Sequence, residues 1–420
     1  MGRGALPFVF PPQSEIERTM IDGKGEATAA RGFAVRLALF YGALFLVAGT
    51  KLPYFPVWLD GRGLTTAEIA FIVAAPLFVR IVCTPVIGFA ADAHGDRRLV
   101  VILLAWVALA AFVGLTTAFG FWAIVAITML LSVATTSLMP LTETIAMSGV
   151  RRLGLDYGRM RLWGSISFIA ASFLAGFAVE RMGDGVVLWL LIGGGACTVL
   201  AAHLLPGQST PAGSVATTTT TEAAMPTAKP ALAEAVRLVL SPKFALFIVA
   251  VGSIQAAHAV FYTFGVLHWR SQGLSSGWAG VLWAIGVITE IGLFAFSQRL
   301  AARVGAVGLV AAGALAGVLR WTLMAFDPPL LLLLPLQVLH GFTYGATHIG
   351  AVHWMSAQVP PAQAGTAQAV YAAVTHGIAM GAATIAAGYL YASWQGGAYL
   401  AMAALSALGL AAAMALRTHR

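Results

Sequence analysis

Apolar runs of about twenty residues recur twelve times along this 420-residue chain, and no other feature restricts its fold as much. A hydrocarbon layer roughly 30 Å thick is crossed by about 20 helical residues. The runs fall at 36–58, 66–88, 99–117, 121–146, 160–180, 186–205, 243–268, 277–298, 304–326, 330–355, 366–391 and 397–416. Turn formers or charges separate them, as at Asp60-Gly-Arg-Gly63, Met182-Gly-Asp-Gly185, Asp327-Pro-Pro329 and Trp394-Gln-Gly-Gly397. Backbone polar groups have no water partner in lipid, so these segments must be helices. The expected class is therefore an all-α integral membrane protein with twelve transmembrane helices. Composition agrees, because only 10% of residues are charged where a soluble chain carries about 25%. Abundant Leu, Ile, Val, Phe and Trp exclude disorder. Cys83 and Cys197 stand far apart in apolar runs and fit neither a zinc spacing nor a disulfide framework.

The formal charge of +8 would suggest nucleic acid on a soluble protein. Here the basic residues sort instead by side of the membrane. With the N-terminus inside, one face receives Arg97, Arg98, Arg151, Arg152, Arg159, Arg161, Lys229, Arg237, Lys243, Arg299 and Arg303. The other keeps little beyond Arg62, Arg181 and Arg270. Positive charge marks the cytoplasmic side, which sets both termini in the cytoplasm of a plasma (inner) membrane protein. Met1 to Pro12 lacks the long apolar core of a cleavable signal peptide. Residues 206–231 are rich in Thr, Ala and Pro and too simple to bury a core. The chain divides into a tail at 1–35, a six-helix half at 36–205, a cytoplasmic linker at 206–242, a second six-helix half at 243–416 and a short tail at 417–420. No stretch long enough for a soluble catalytic domain remains.

After the second run the chain reads Gly88-Phe-Ala-Ala-Asp92-Ala-His-Gly95-Asp-Arg97-Arg98. This resembles the signature of the major facilitator superfamily, with Ala93 where a basic residue is usual. Physically, Gly88 suits a close helix approach, Asp92 a neighbouring helix N-terminus, and Arg97 and Arg98 the cytoplasmic rim. A weaker echo, Gln298-Arg299-Leu-Ala-Ala-Arg303-Val-Gly305, follows the eighth run. Pro140-Leu-Thr-Glu143, Leu155-Asp-Tyr-Gly-Arg-Met-Arg161-Leu-Trp163, Gln255-Ala-Ala-His258, Leu282-Trp-Ala-Ile-Gly-Val-Ile-Thr-Glu290 and Leu319-Arg320-Trp321 resemble the 3-phenylpropionate permease family, near the lactose permease and nucleoside–proton symporter branch. The resemblance implies two six-helix halves around a central cavity.

Charged side chains inside a bilayer face a cavity or a partner. Glu143 and Arg161 each lie nine residues from Arg152 at the basic turn, hence roughly 10–13 Å above it on adjacent helices. An ion pair is expected there, and the lactose permease resemblance implies that both bind substrate. Arg320 and His340 flank the Asp327-Pro-Pro329 turn in the same way, about 15 Å deep, and the resemblance implies the same role. Its proton-carrying carboxylate one turn beyond the histidine corresponds here to Thr343, so Glu290, mid-span in the eighth run, becomes the candidate proton carrier beside His340. Burial favours its neutral acid and a nearby Arg320 its carboxylate. Gln255, His258 and Tyr262 share one helix face, as do His340, Tyr344 and His348. His348 and His353, five apart, should diverge. Lys51 and Arg80 add further cations in the spans, and surplus positive charge suits a carboxylate ligand. Trp163, Trp283, Phe168 and Tyr262 are candidate apolar walls. Pro53, Pro56, Pro76, Pro85, Pro140 and Pro335 soften helices.

These readings converge on a secondary active transporter working by alternating access. The expected cargo is a small aromatic monocarboxylate taken up with protons. Arg161 and Arg320 would attract the carboxylate, helped by Glu143, His340, His258, Gln255, Tyr262 and Trp163, while Glu290 and His340 handle the proton and Gly88, Asp92, Gly95, Arg97 and Arg98 form the gating motif. Expected partners are the substrate, the proton and the lipid bilayer, with no nucleic acid, no cofactor and no metal, on a monomer. A sugar or nucleoside symporter and a proton-driven exporter are alternatives on the same scaffold. An intramembrane enzyme would need a nucleophile–base set or metal cluster at one depth, which the sequence does not offer.

Overall fold

The computed structural model describes residues 13–207, Arg237 and 239–418. Most of the linker, Lys229 and the Met1–Pro12 segment lie outside them. Among the described residues eleven helices are long and apolar enough to cross a membrane. The longest, Ala364–Thr418, has 55 residues, far more than one crossing needs, and folds back at Gln395–Gly397, where Gln395 takes φ 46°. Twelve crossings result. They are α1 (Gln13–Asp60), α2 (Thr66–His94), α3 (Arg97–Thr117), α4 (Phe121–Leu153), α5 (Tyr157–Met182), α6 (Val186–Leu204), α7 (Pro242–Ser271), α8 (Ser276–Ala295), α9 (Ala306–Met324), α10 (Leu330–Gln358), α11 (364–394) and α12 (Ala398–Thr418). A short helix, Ser297–Val304, follows α8. The first helix begins at Gln13, well before the apolar run it contains.

Local chemistry sets the ends. Thr65 and Glu68 form a reciprocal capping box on α2. Gly95 ends that helix at φ 80°, a conformation suited to glycine. Asp96, Asp156, Ser241 and Ser275 cap α3, α5, α7 and α8 by accepting from Leu99, Arg159, Phe244 and Trp278 N–H groups. Two helices carry π turns at their centres, Gly341–Ala346 in α10 and Ala372–Ala379 in α11. Such turns are rare and cluster at functional sites.

Helices α1–α6 pack among themselves, as do α7–α12, and the halves meet along α5·α8, α2·α11 and α1·α7. The hydrophobic core is unequally distributed between the two ends. At the end away from the arginine-rich turns one apolar cluster runs through both halves, joining Tyr54, Trp58 and Val187 to Phe261, Trp269 and Trp283. At the arginine-rich end the clusters stay within one half each: Phe33 to Leu205 in the first, and Phe244 to Leu416 with a smaller one around Leu309, Ala346 and Ile349 in the second. The halves are thus sealed at one end and apart at the other.

The sealed end is closed by specific contacts. The Tyr54 hydroxyl sits between two carbonyls, Ser172 O at 3.0 Å and Ser276 O at 3.1 Å, on α5 and α8 of opposite halves. Gly176 and Gly280 make this crossing possible, since a Cβ at Gly176 would collide with Ser276 O and the Tyr54 hydroxyl and one at Gly280 would lie 2.5 Å from Ser172 O. Glu180 Oε2 accepts the Gly277 N–H at 3.0 Å, and Asp184 bridges Arg270 at 2.9 Å.

Candidate transport site

Between the halves at the open end lies a cavity of about 530 Å³. Glu143 of α4, Tyr157, Arg161 and Ser165 of α5, Glu290 of α8, and His348 and His353 of α10 line it. Glu143 and Arg161, equidistant from the basic turn, reach one chamber. The expected ion pair between them is not formed. Glu143 instead accepts from the Tyr157 hydroxyl at 3.1 Å. The Arg161 guanidinium sits over Phe45, 4.1 Å from the ring centre, with Tyr41 at 5.7 Å. A planar guanidinium is well suited to this stacking, and Tyr157, one turn before Arg161, occupies the carboxylate. Arg161 makes no ion pair among the described residues. Glu290 lines the cavity from the other half, within electrostatic reach of Arg161, and makes no ion pair among the described residues.

Arg320 and His340 are brought together as the turn geometry implies, at 3.1 Å between Arg320 Nη1 and His340 Nδ1. They do not line the open cavity. Arg320 is fully buried inside the second half, donating also to Gln337 Oε1 at 2.7 Å and Thr343 Oγ1 at 3.4 Å. It stacks on Trp321 and Phe261. No carboxylate accompanies it among the described residues, and the expected Glu290–Arg320 proximity gives way to Arg161 facing Glu290. A guanidinium only donates, so His340 Nδ1 accepts, which assigns its proton to Nε2. That bond does not fit His340 as a carrier that gains a proton at Nδ1. His258 has the opposite tautomer: Nδ1 faces the carbonyls of Ile254 and Gln255, both at 3.1 Å, and Nε2 accepts from Thr343 Oγ1 at 3.0 Å. Thr343, standing where a carboxylate was expected, thus joins Arg320 to His258.

Gln255 is buried with both amide atoms unpartnered, away from the cavity. Tyr262 is stacked between His258 and Trp283. Trp163 is 56% exposed on an outer groove with Ala34 and Leu155, and so is removed from the expected site. Phe168 is buried in the core. His348 and His353 line one cavity rather than diverging. A ring column His340, Tyr344, His348 runs along α10, with interplanar angles of 14° and 6°. Among the described residues no group of three metal-ligating side chains occurs.

In the gating motif, Asp92 in the last turn of α2 pairs at 2.8 Å with the side chain of Arg97, the first residue of α3. A Cβ at Gly88 would meet nothing within 4 Å, so the expected close approach is absent. Arg98 caps α6 through His203 O at 2.6 Å.

Residues 34–401 match the MFS_1 like family. The chain belongs to this family of major facilitator transporters. It is 31% identical over 371 residues to the probable 3-phenylpropionic acid transporter of Escherichia coli (strain K12), covering 87% of this chain and 93% of that one. It is 30% identical over 364 residues to the maltose permease of Geobacillus stearothermophilus, covering 86% and 88%. The crystal structure of the nucleoside transporter NupG superposes with a TM-score of 0.78 at 18% identity, over 92% of this chain and 100% of that one, which establishes the shared fold. A bacterial homolog of the lysosomal transporter Spinster, crystallised inward-facing and unoccupied, gives a TM-score of 0.66 at 15% identity over 92% and 94%. The protein is thus a multi-pass membrane transporter of this family, and not an enzyme.

Sequence reasoning missed the partners of the cavity charges. Tyr157 lies four residues before Arg161, hence on its helix face, and that spacing was the available signal. Phe45 under Arg161 had none, because it comes from another helix.

Proposed function

We propose that the protein takes up a small aromatic monocarboxylate together with protons by alternating access. It does so in the plasma (inner) membrane, with both termini in the cytoplasm and the open cavity facing inward. The observation that carries this reading is that Arg161 and Glu290 line one cavity from opposite halves, neither cancelled by an ion pair. Arg161, seated over the Phe45 ring, presents its guanidinium to a ligand carboxylate. An ionised Glu290 competes with that carboxylate for the same cation. Protonation of Glu290 removes the competition, so proton and anion load together and leave together. Similarity to the probable 3-phenylpropionic acid transporter supports the substrate class.

Uptake of radiolabelled 3-phenylpropionate into proteoliposomes under an imposed inward proton gradient tests the reading. We expect gradient-driven accumulation in the wild type and only downhill equilibration in Glu290→Gln. Accumulation that ignores the gradient, or survives Glu290→Gln intact, would discard the coupling assignment. A sugar substrate is the second reading, supported by the maltose permease relative. Competition by maltose but not by aromatic acids would favour it.

A further inference from the structure

A second cavity, of about 330 Å³, lies between α1, α2 and α4, with Tyr262 of α7 bordering it from the other half. It shares no lining residue with the Arg161–Glu290 cavity. Its volume falls in the range of small-molecule pockets, about 300–1,000 Å³. Most of its wall is hydrocarbon or aromatic, including Phe55, Pro56, Ile72, Val73, Pro76 and Leu77. Three polar residues interrupt that wall: Lys51, Thr128 and Tyr262.

All three polar groups lack partners. The Lys51 ammonium has only the Phe55 ring, 5.9 Å from its centre, and no carboxylate among the described residues. Thr128 is 1% exposed and its hydroxyl makes no hydrogen bond. Thr135, Thr142 and Thr198, in comparable helical settings, each bond the carbonyl four residues back. The Tyr262 hydroxyl likewise has no hydrogen bond among the described residues; only its ring is engaged, by His258 and Trp283. An unpaired ammonium and a buried unpaired hydroxyl are both costly in a membrane interior. A carboxylate satisfies them together, accepting from the ammonium and from the hydroxyls. The hydrocarbon wall then selects what the carboxylate is attached to. A hydroxyl-rich sugar would leave that wall against polar groups, and an inorganic anion would leave it empty.

We propose that this cavity is the seat of the transported amphipathic monocarboxylate, with the carboxylate on Lys51, Thr128 and Tyr262 and the apolar body against Phe55, Ile72 and Leu77. The inference rests on the anion-transport reading above and adds to it a binding site separate from the cavity where Arg161 captures the anion. Lys51 is then a specificity-determining residue that distinguishes acids from their neutral analogues.

Equilibrium binding of radiolabelled 3-phenylpropionate and of neutral 3-phenylpropanol to purified protein in lipid nanodiscs tests this. For the wild type we expect the acid to bind at least about tenfold more tightly than the alcohol, the scale of a charge-assisted contact. Lys51→Met should abolish that preference while leaving alcohol binding within about twofold, and Lys51→Arg should retain most of it. Leu77→Trp, which fills the cavity and leaves the charge, should weaken both ligands. Lys51→Met removes an unpaired, partly buried charge within a membrane span, so its folding is not at risk, and retained alcohol binding verifies this. Unchanged acid binding in Lys51→Met, with loss in Arg161→Met, would overturn this site and leave the transport reading standing. Absence of acid binding in the wild type itself would overturn both.

Discussion

Asp184 of the first half and Arg270 of the second are joined at 2.9 Å across the sealed end. Both side chains are partly exposed, at 26% and 34%, so the bridge is worth at most about 1 kcal/mol. That is enough to weight a conformational equilibrium several-fold. Arg270→Gln should raise the labelling rate of a single cysteine placed near Trp58 by about two- to fivefold. Restoring the wild-type rate with high salt would contradict the assignment, since screening should act in the same direction as the substitution.

The glycine crossing of α5 and α8 gives a steric version of the same test. A side chain at Gly280 meets the Ser172 carbonyl and the Tyr54 hydroxyl. Gly280→Leu should force the sealed end apart, at a cost of roughly 1–3 kcal/mol to the present state. We expect loss of transport with retained expression and increased cysteine accessibility at that end. A substitution without effect on accessibility would show that the crossing is not what holds this end shut.

Tyr157 keeps Glu143 away from Arg161. Tyr157→Phe releases the carboxylate, which then competes with the ligand for the guanidinium. Losing one hydrogen bond of about 0.5–1.5 kcal/mol should raise the KM for an anionic substrate a few-fold with little change in maximal rate. A pure fall in maximal rate would point to another role for Tyr157.

Arg320 serves three neutral acceptors at once. Lysine has no planar fork and cannot reproduce this geometry. Arg320→Lys should lower stability by about 1.5–3 kcal/mol, the scale of a hydrogen bond from a charged group, read as a lower Tm in detergent. An unchanged Tm would mean that the ammonium recovers the same contacts.

The spans were legible because a lipid core demands continuous apolar runs, and even the turn inside Ala364–Thr418 was announced by Trp394-Gln-Gly-Gly397. Depth was legible too, since counting outward from a turn put Glu143 level with Arg161 and Arg320 level with His340. Partner choice was not. Whether Glu143 meets Arg161 or Tyr157 depends on rotation of α4 and α5 about their axes, which spacing along one helix does not fix. The same uncertainty allowed Arg320 to be read as facing the chamber when it faces the interior of its own half. The open space around Gly88 was hidden for the same reason, since spacing along one helix does not say which neighbour approaches it.

The π turn at Gly341–Ala346 puts one surplus residue into the middle of α10. The wide turn absorbs that residue, so deleting it would restore a regular helix while leaving His348 and His353 in their present register, and would disturb chiefly the ring column through Tyr344, which lies inside the turn. The segment can therefore lose one residue at less cost than a regular stretch of α10, where the same deletion would turn everything after it by about 100° and carry His348 and His353 out of the cavity.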